Sequence, residues 1–119
     1  MKIIIAGSRN FNLDISTIMN LVDITLPEDE FPDEVVCGCC RGVDISGENW
    51  AKFQGIPVKR FKPDWNGLGR KAGPIRNEQM AEYGDALLLI WNGDPHSGSA
   101  NMKSHMVARN KPVYEVIIK

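Results

Sequence analysis

Apolar positions in this chain come in short unbroken runs, each separated from the next by a polar or amphipathic stretch. Ile3 to Ala6 and Ala86 to Trp91 contain no polar side chain other than the indole of Trp91, the pattern of strands covered on both faces. The runs predict strands over 2–6, 34–37, 56–61, 86–91 and 112–118. Between them, helical spacing predicts helices over 14–25, 43–54, 74–83 and 99–109, with loops over 26–32, 62–72 and 92–98. Asp14 is placed to cap the first helix, whose Ile15, Ile18, Met19 and Val22 form one stripe. The second helix is expected to bury Val43, Trp50, Ala51 and Phe53 and to stop at Gly55. Pro74 suits a first helical turn.

Regular strand–helix alternation predicts the α/β class: a Rossmann-like three-layer α/β/α fold with a five-stranded parallel sheet in the order 3-2-1-4-5. The ligand crevice of such a sheet opens beyond the strand carboxyl ends where the strand order reverses, here between the first and fourth strands.

Composition narrows the field. The chain has 119 residues, 43% hydrophobic and 24% charged, which reads as one globular domain over 1–119 with a modest core, for which self-association as a homo-oligomer would add margin. A net charge of −1 argues against an extended nucleic-acid surface but not against a small anion held by local arginines. No apolar stretch reaches membrane-span length and Met1 leads directly into the first strand, so a cytoplasmic protein without a signal peptide is expected. Cys37, Cys39 and Cys40 lie too close together for a disulfide framework. They read as packing residues around a strand end in a reducing compartment, with redox sensing as the alternative. No zinc-ligand spacing is present, and His96 and His105 have no partner motif, so no metal and no cofactor are expected.

Polar segments follow the strands and should converge on one sheet edge. Gly7-Ser8-Arg9-Asn10 offers amides, a hydroxyl and a fixed charge to an anion. Gly38 to Asp44 follows the second strand, where Gly38, Cys39, Arg41 and Gly42 form a turn that a ligand can approach. Arg41 could also be a solvated charge, and Asp44 either a helix cap or a contact to a sugar hydroxyl. Asp64 and Trp65 offer a carboxylate and an aromatic face, although a loop-stabilising role fits Trp65 as well. Gly73-Pro74 opens a helix with Arg76 and Asn77 in its first turn, where Arg76 could grip a phosphate in bidentate fashion. Trp91-Asn92 leads to Ser97-Gly98-Ser99, which reads either as a second amide-lined anion site or as an ordinary serine cap. Met102, Met106 and Val107 read as core.

The order of IIIAGSRNF, CCRGVDISGENWA, GIPVKRFKPDW, GRKAGPIRNEQM, GDALLLIW and SGSANM resembles the small bacterial and phage YspA-like branch of the SLOG superfamily over nearly the whole chain. That branch reads Ser-Gly-Gly-Ala-Arg-Gly-Val-Asp where this chain has Cys37 to Asp44, and Gly-Thr where this chain has Gly98-Ser99. The resemblance implies a Rossmann-like fold that binds a nucleotide or nucleotide derivative, such as an ADP-ribose-like molecule, to sense, carry or sequester it. Some relatives cleave the base from a nucleoside monophosphate and need a glutamate three residues after Gly-Thr; Met102 stands there, and methionine can neither activate water nor stabilise a ribosyl cation. Asp44, Asp64, Glu78 and Asp94 are the carboxylates that could replace it. DNA-processing relatives make nucleic-acid binding a lesser alternative, against which the near-neutral charge weighs.

Overall fold

The computed structural model describes residues 1–118. The strands are β1 (Lys2–Gly7), β2 (Glu34–Cys37), β3 (Val58–Arg60), β4 (Ala86–Trp91) and β5 (Val113–Ile117). They form one five-stranded sheet in the order β3-β2-β1-β4-β5, with every neighbouring pair parallel. The helices are α1 (Ile15–Thr25), α2 (Val43–Gln54), α3 (Trp65–Leu68), α4 (Ala72–Tyr83) and α5 (Gly98–Ala108). The Rossmann-like three-layer class and the strand order are those the sequence pattern predicts.

Alternation within the central strands splits the core in two. Ile3, Ile5, Leu88 and Ile90 pack with Ile18 and Val22 of α1 and with Val43, Trp50 and Ala51 of α2. Ile4, Ala6, Leu87 and Leu89 pack on the other face with Met80 and Ala81 of α4 and Met102 and Met106 of α5. Both faces of β1 and β4 are therefore buried, which explains their uninterrupted apolar runs.

Three local expectations change. Residues 62–72 are not a plain loop: Asp64 accepts from the Gly67 amide at 2.9 Å and caps the single turn α3, a 3-10 turn follows over Gly69–Lys71, and α4 starts at Ala72 rather than at Pro74. β3 is shorter than its apolar run, because Pro57 has no amide to donate and the strand lies at the sheet edge. Phe53 and Val107 are not buried but 66% and 59% exposed, since Phe53 falls outside the α2 stripe set by Val43, Trp50 and Ala51 and Val107 outside the α5 face set by Met102 and Met106. Among the described residues, no helix is long and apolar enough to cross a membrane.

Candidate functional site

β1 pairs with β2 on one side and β4 on the other, so the strand order reverses there and the two sets of helices diverge. A cleft of about 250 Å³ opens at that point. Its walls come from the β1 end (Ala6 to Asn10), the β2–α2 connection (Cys40, Asp44), α4 (Arg76, Asn77, Met80) and the segment from Asn92 into α5 (Asp94, Ser97 to Ser99, Met102).

Close backbone approach builds the floor. An added Cβ on Gly7 would lie 1.7 Å from the Ile90 carbonyl oxygen, so only glycine lets β1 end so near β4. Ser8 ties three segments: its amide donates to Ile90 O at 3.1 Å, its Oγ accepts from the Asn92 amide at 3.1 Å, and its carbonyl accepts from the Val43 amide at 3.2 Å. Gly42 has φ +85°, and a Cβ there would lie 2.4 Å from Ser8 O. The β1 and β2 connections thus touch through bare backbone.

Arg76 is 7% exposed and anchored on two sides. Its Nε donates to Asn77 Oδ1 at 2.9 Å and its Nη1 to the Gly38 carbonyl. Nη2 has no protein acceptor among the described residues. Gly38 makes this reach possible, since a Cβ there would sit 2.6 Å from Nη1 and 2.8 Å from Asp44 Oδ2. Asn77 in turn donates to Gly98 O at 3.2 Å and Asn101 Oδ1 at 3.0 Å, clamping α4 to the start of α5.

The α5 start faces the same space. Ser97 caps it, with Oγ accepting from the Ala100 amide at 3.2 Å and donating to Asp94 O at 2.7 Å. The amides of Gly98 and Ser99 have no partner among the described residues, and neither does the Ser99 hydroxyl, although Ser99 is only 9% exposed. Free donors at a helix N-terminus favour negative charge. Asp44 is 5% exposed, and burial pushes its carboxyl up to about 6, against the pull of Arg76, the Cys40 and Gly7 amides and Arg9.

Of the residues singled out in the sequence, Gly7, Ser8, Arg9, Asp44, Arg76, Asn77, Asn92, Ser97, Gly98 and Ser99 meet in this cleft. Gly38 and Gly42 stand behind its wall as spacers. Arg41 is exposed and does not line it. Cys39 takes φ +62° and folds back, its amide donating to Cys37 Sγ at 3.2 Å. Asp64 is the α3 cap. Trp65, 47% exposed, lies over Gly73, where a Cβ would meet its ring at 3.4 Å. Pro74 is exposed on α4. Trp91 is buried on the α5 side, where its Nε1 donates to Glu115 at 2.7 Å.

Sequence reading did not single out Cys40 or Met80 as wall residues; Met102, expected in the core, also lines the cleft. Of the carboxylates that could replace a missing glutamate, Asp44 and Asp94 line the cleft, whereas Asp64 and Glu78 do not. Among the described residues, no group of three or more His, Cys, Asp or Glu is arranged to hold a metal ion.

Comparison with known proteins gives two findings. The sequence profile of the YspA, cpYpsA-related SLOG family matches residues 1–67, which include the β1 and β2 walls of the cleft but not Arg76 or the α5 start. The Gene 61 protein of Mycobacterium phage D29 is 30% identical over 95 residues, 76% of this chain and 75% of that protein. No solved structure matches.

Proposed function

The chain belongs to the YspA, cpYpsA-related SLOG family, and from that premise we propose that its cleft binds a nucleotide or nucleotide derivative through phosphate. The binding serves to sense, carry or sequester the ligand. The observation that carries this reading is the pairing across one cleft of a buried Arg76, with Nη2 free, and the unpartnered amides and Ser99 hydroxyl of the α5 start. A planar guanidinium and a helix N-terminus together suit a phosphate. Asp44, deeper in the same wall, is an acceptor for a sugar hydroxyl.

A base-cleaving activity is the second reading. Met102 lines the cleft where the base-cleaving relatives need glutamate, so the reaction would depend on Asp44, whose raised carboxyl suits proton transfer near neutral pH. The test is to incubate pure protein with AMP, GMP and ADP-ribose. Intact compounds after hours, with a melting temperature raised by one of them, support binding alone. Release of free base on a chromatogram moves the assignment to hydrolysis. Absence of both, with native mass spectrometry of cell-purified protein also finding no phosphate-bearing molecule, overturns the proposal.

A further inference from the structure

The cleft wall carries a nucleophile that phosphate binding does not use. Cys40 is half-buried and faces the cleft, its Sγ 3.8 Å from Arg9 Nη2 and 3.6 Å from Arg76 Nη1. One sulfur thus sits against both of the guanidinium groups that line the cleft.

The neighbouring thiols differ in kind. Cys37 is buried, its Sγ donating to Asp44 O at 3.5 Å. Cys39 folds back with its Sγ 3.9 Å from Cys37 O. Burial raises both thiols above the ordinary cysteine range, and neither lines the cleft. Access and fixed positive charge select Cys40 for reaction with an external sulfur reagent.

We propose that Cys40 is a covalent modification site whose adduct and a phosphate-bearing ligand exclude each other. This rests on the reading of the cleft as a phosphate site. The co-reactant is a low-molecular-weight disulfide. The Cys40 thiol releases its proton to solvent and its sulfur attacks one sulfur of the reagent. That S–S bond breaks, a mixed disulfide forms at Cys40, and the departing thiolate leaves with the bonding electron pair. Cys40 is oxidised and the other half of the reagent is reduced to a thiol. The adduct projects into a space of about 250 Å³ and occupies the place between Arg9 and Arg76. An acidic adduct is held there by the same charges that would hold a phosphate.

The test uses the reduced protein and dithiobis-nitrobenzoate, whose released thiolate is coloured. One thiol should react about tenfold or more faster than the others, and peptide mass mapping should place it at Cys40. Cys40→Ala should lose the fast phase and Cys39→Gly should keep it. AMP at about one hundred times its Kd should slow the fast phase by roughly that factor. The modified protein should lose its thermal stabilisation by AMP, and a reductant should restore it, with the far-ultraviolet circular dichroism of the modified protein matching that of the reduced one. Mapping on the unsubstituted protein decides the site even if a variant fails to fold. A fast phase on Cys37 or Cys39, or full AMP stabilisation of the modified protein, overturns the proposal. If AMP stabilises the reduced protein while Cys40 reacts no faster than its neighbours, the modification site fails and the phosphate reading stands. If Cys40 reacts fast but neither AMP, ADP-ribose nor inorganic phosphate slows it or stabilises the reduced protein, the phosphate reading fails and mutual exclusion fails with it.

Discussion

Arg76 has two obligations. Its Nε and Nη1 satisfy Asn77 and the Gly38 carbonyl inside the wall, and in the proposed function Nη2 is the group that meets phosphate. Arg76→Ala should therefore abolish the AMP-induced rise in melting temperature. It should also lower stability by about 1–3 kcal/mol, because buried acceptors lose their donors. Circular dichroism with a thermal shift assay separates the two effects, and unchanged ligand stabilisation would remove Arg76 from the site. Asp44 makes a prediction of a different sign. Its carboxyl titrates near 6 when folded, against an ordinary value of 3.8. Between those values the folded chain binds more protons than the unfolded one, so the Asp44 contribution to stability grows as pH falls through about 6 and is lost as pH rises. Asp44→Asn should remove that slope and raise stability at neutral pH by roughly 1–3 kcal/mol. Melting curves of both proteins from about pH 7 to 5 check this, and parallel curves would mean that Asp44 ionises normally.

At the scale of elements, the site depends on how closely three connections approach. Gly42 holds φ +85° against the β1 connection, so Gly42→Ala combines backbone strain with overpacking. Each effect costs on the order of 1–3 kcal/mol. Chemical denaturation should show that loss, and a neutral result would mean that the β2–α2 connection moves freely. The α5 cap is milder. Ser97→Ala should cost about 1 kcal/mol and should weaken AMP binding by loosening the first turn that presents the free amides. Binding unchanged after loss of the cap would separate the α5 start from the ligand. α3 shows why the connection after β3 was hard to read: Pro63, Gly67 and Gly69 are loop signals, and one capped turn is too short to show a period.

At the scale of the molecule, the cleft joins helix layers that otherwise pack on opposite sheet faces: α2 on one side, α4 and α5 on the other. A ligand that bridges them should stabilise the whole chain, by about 2.7 kcal/mol at one hundred times Kd. The outer surface answers to different rules. Trp50 is almost fully buried against Phe31, with ring centroids 5.9 Å apart, so Trp50→Ala should cost about 3–5 kcal/mol. Phe53 is largely exposed three residues later, and Phe53→Ala should leave the melting temperature of the monomer nearly unchanged. A large loss from Phe53→Ala, with a fall in sedimentation rate, would instead reveal a contact between copies.

What the sequence determined by itself was the layering. The unbroken apolar runs of β1 and β4 call for cover on both faces, and with strand–helix alternation they set the class and the parallel sheet, while the strand order and the crevice between β1 and β4 came by analogy with the Rossmann pattern. It also identified segments ending at that crevice, because Gly7-Ser8 ends a strand and Ser97 to Ser99 open a helix, whereas Arg76-Asn77, expected in a first turn, lie one turn inside α4. What only the tertiary structure decided was which side chains face inward. Arg9 and Arg41 are alike in sequence, yet one lines the cleft and the other does not, since a single residue's placement depends on loop torsions such as those at Cys39 and Gly42. The role of Gly38 as a spacer for Arg76, and the seat of Cys40 between two guanidiniums, join residues far apart in the chain. Such contacts have no local periodicity, so they exist only once the sheet has brought the strand ends together.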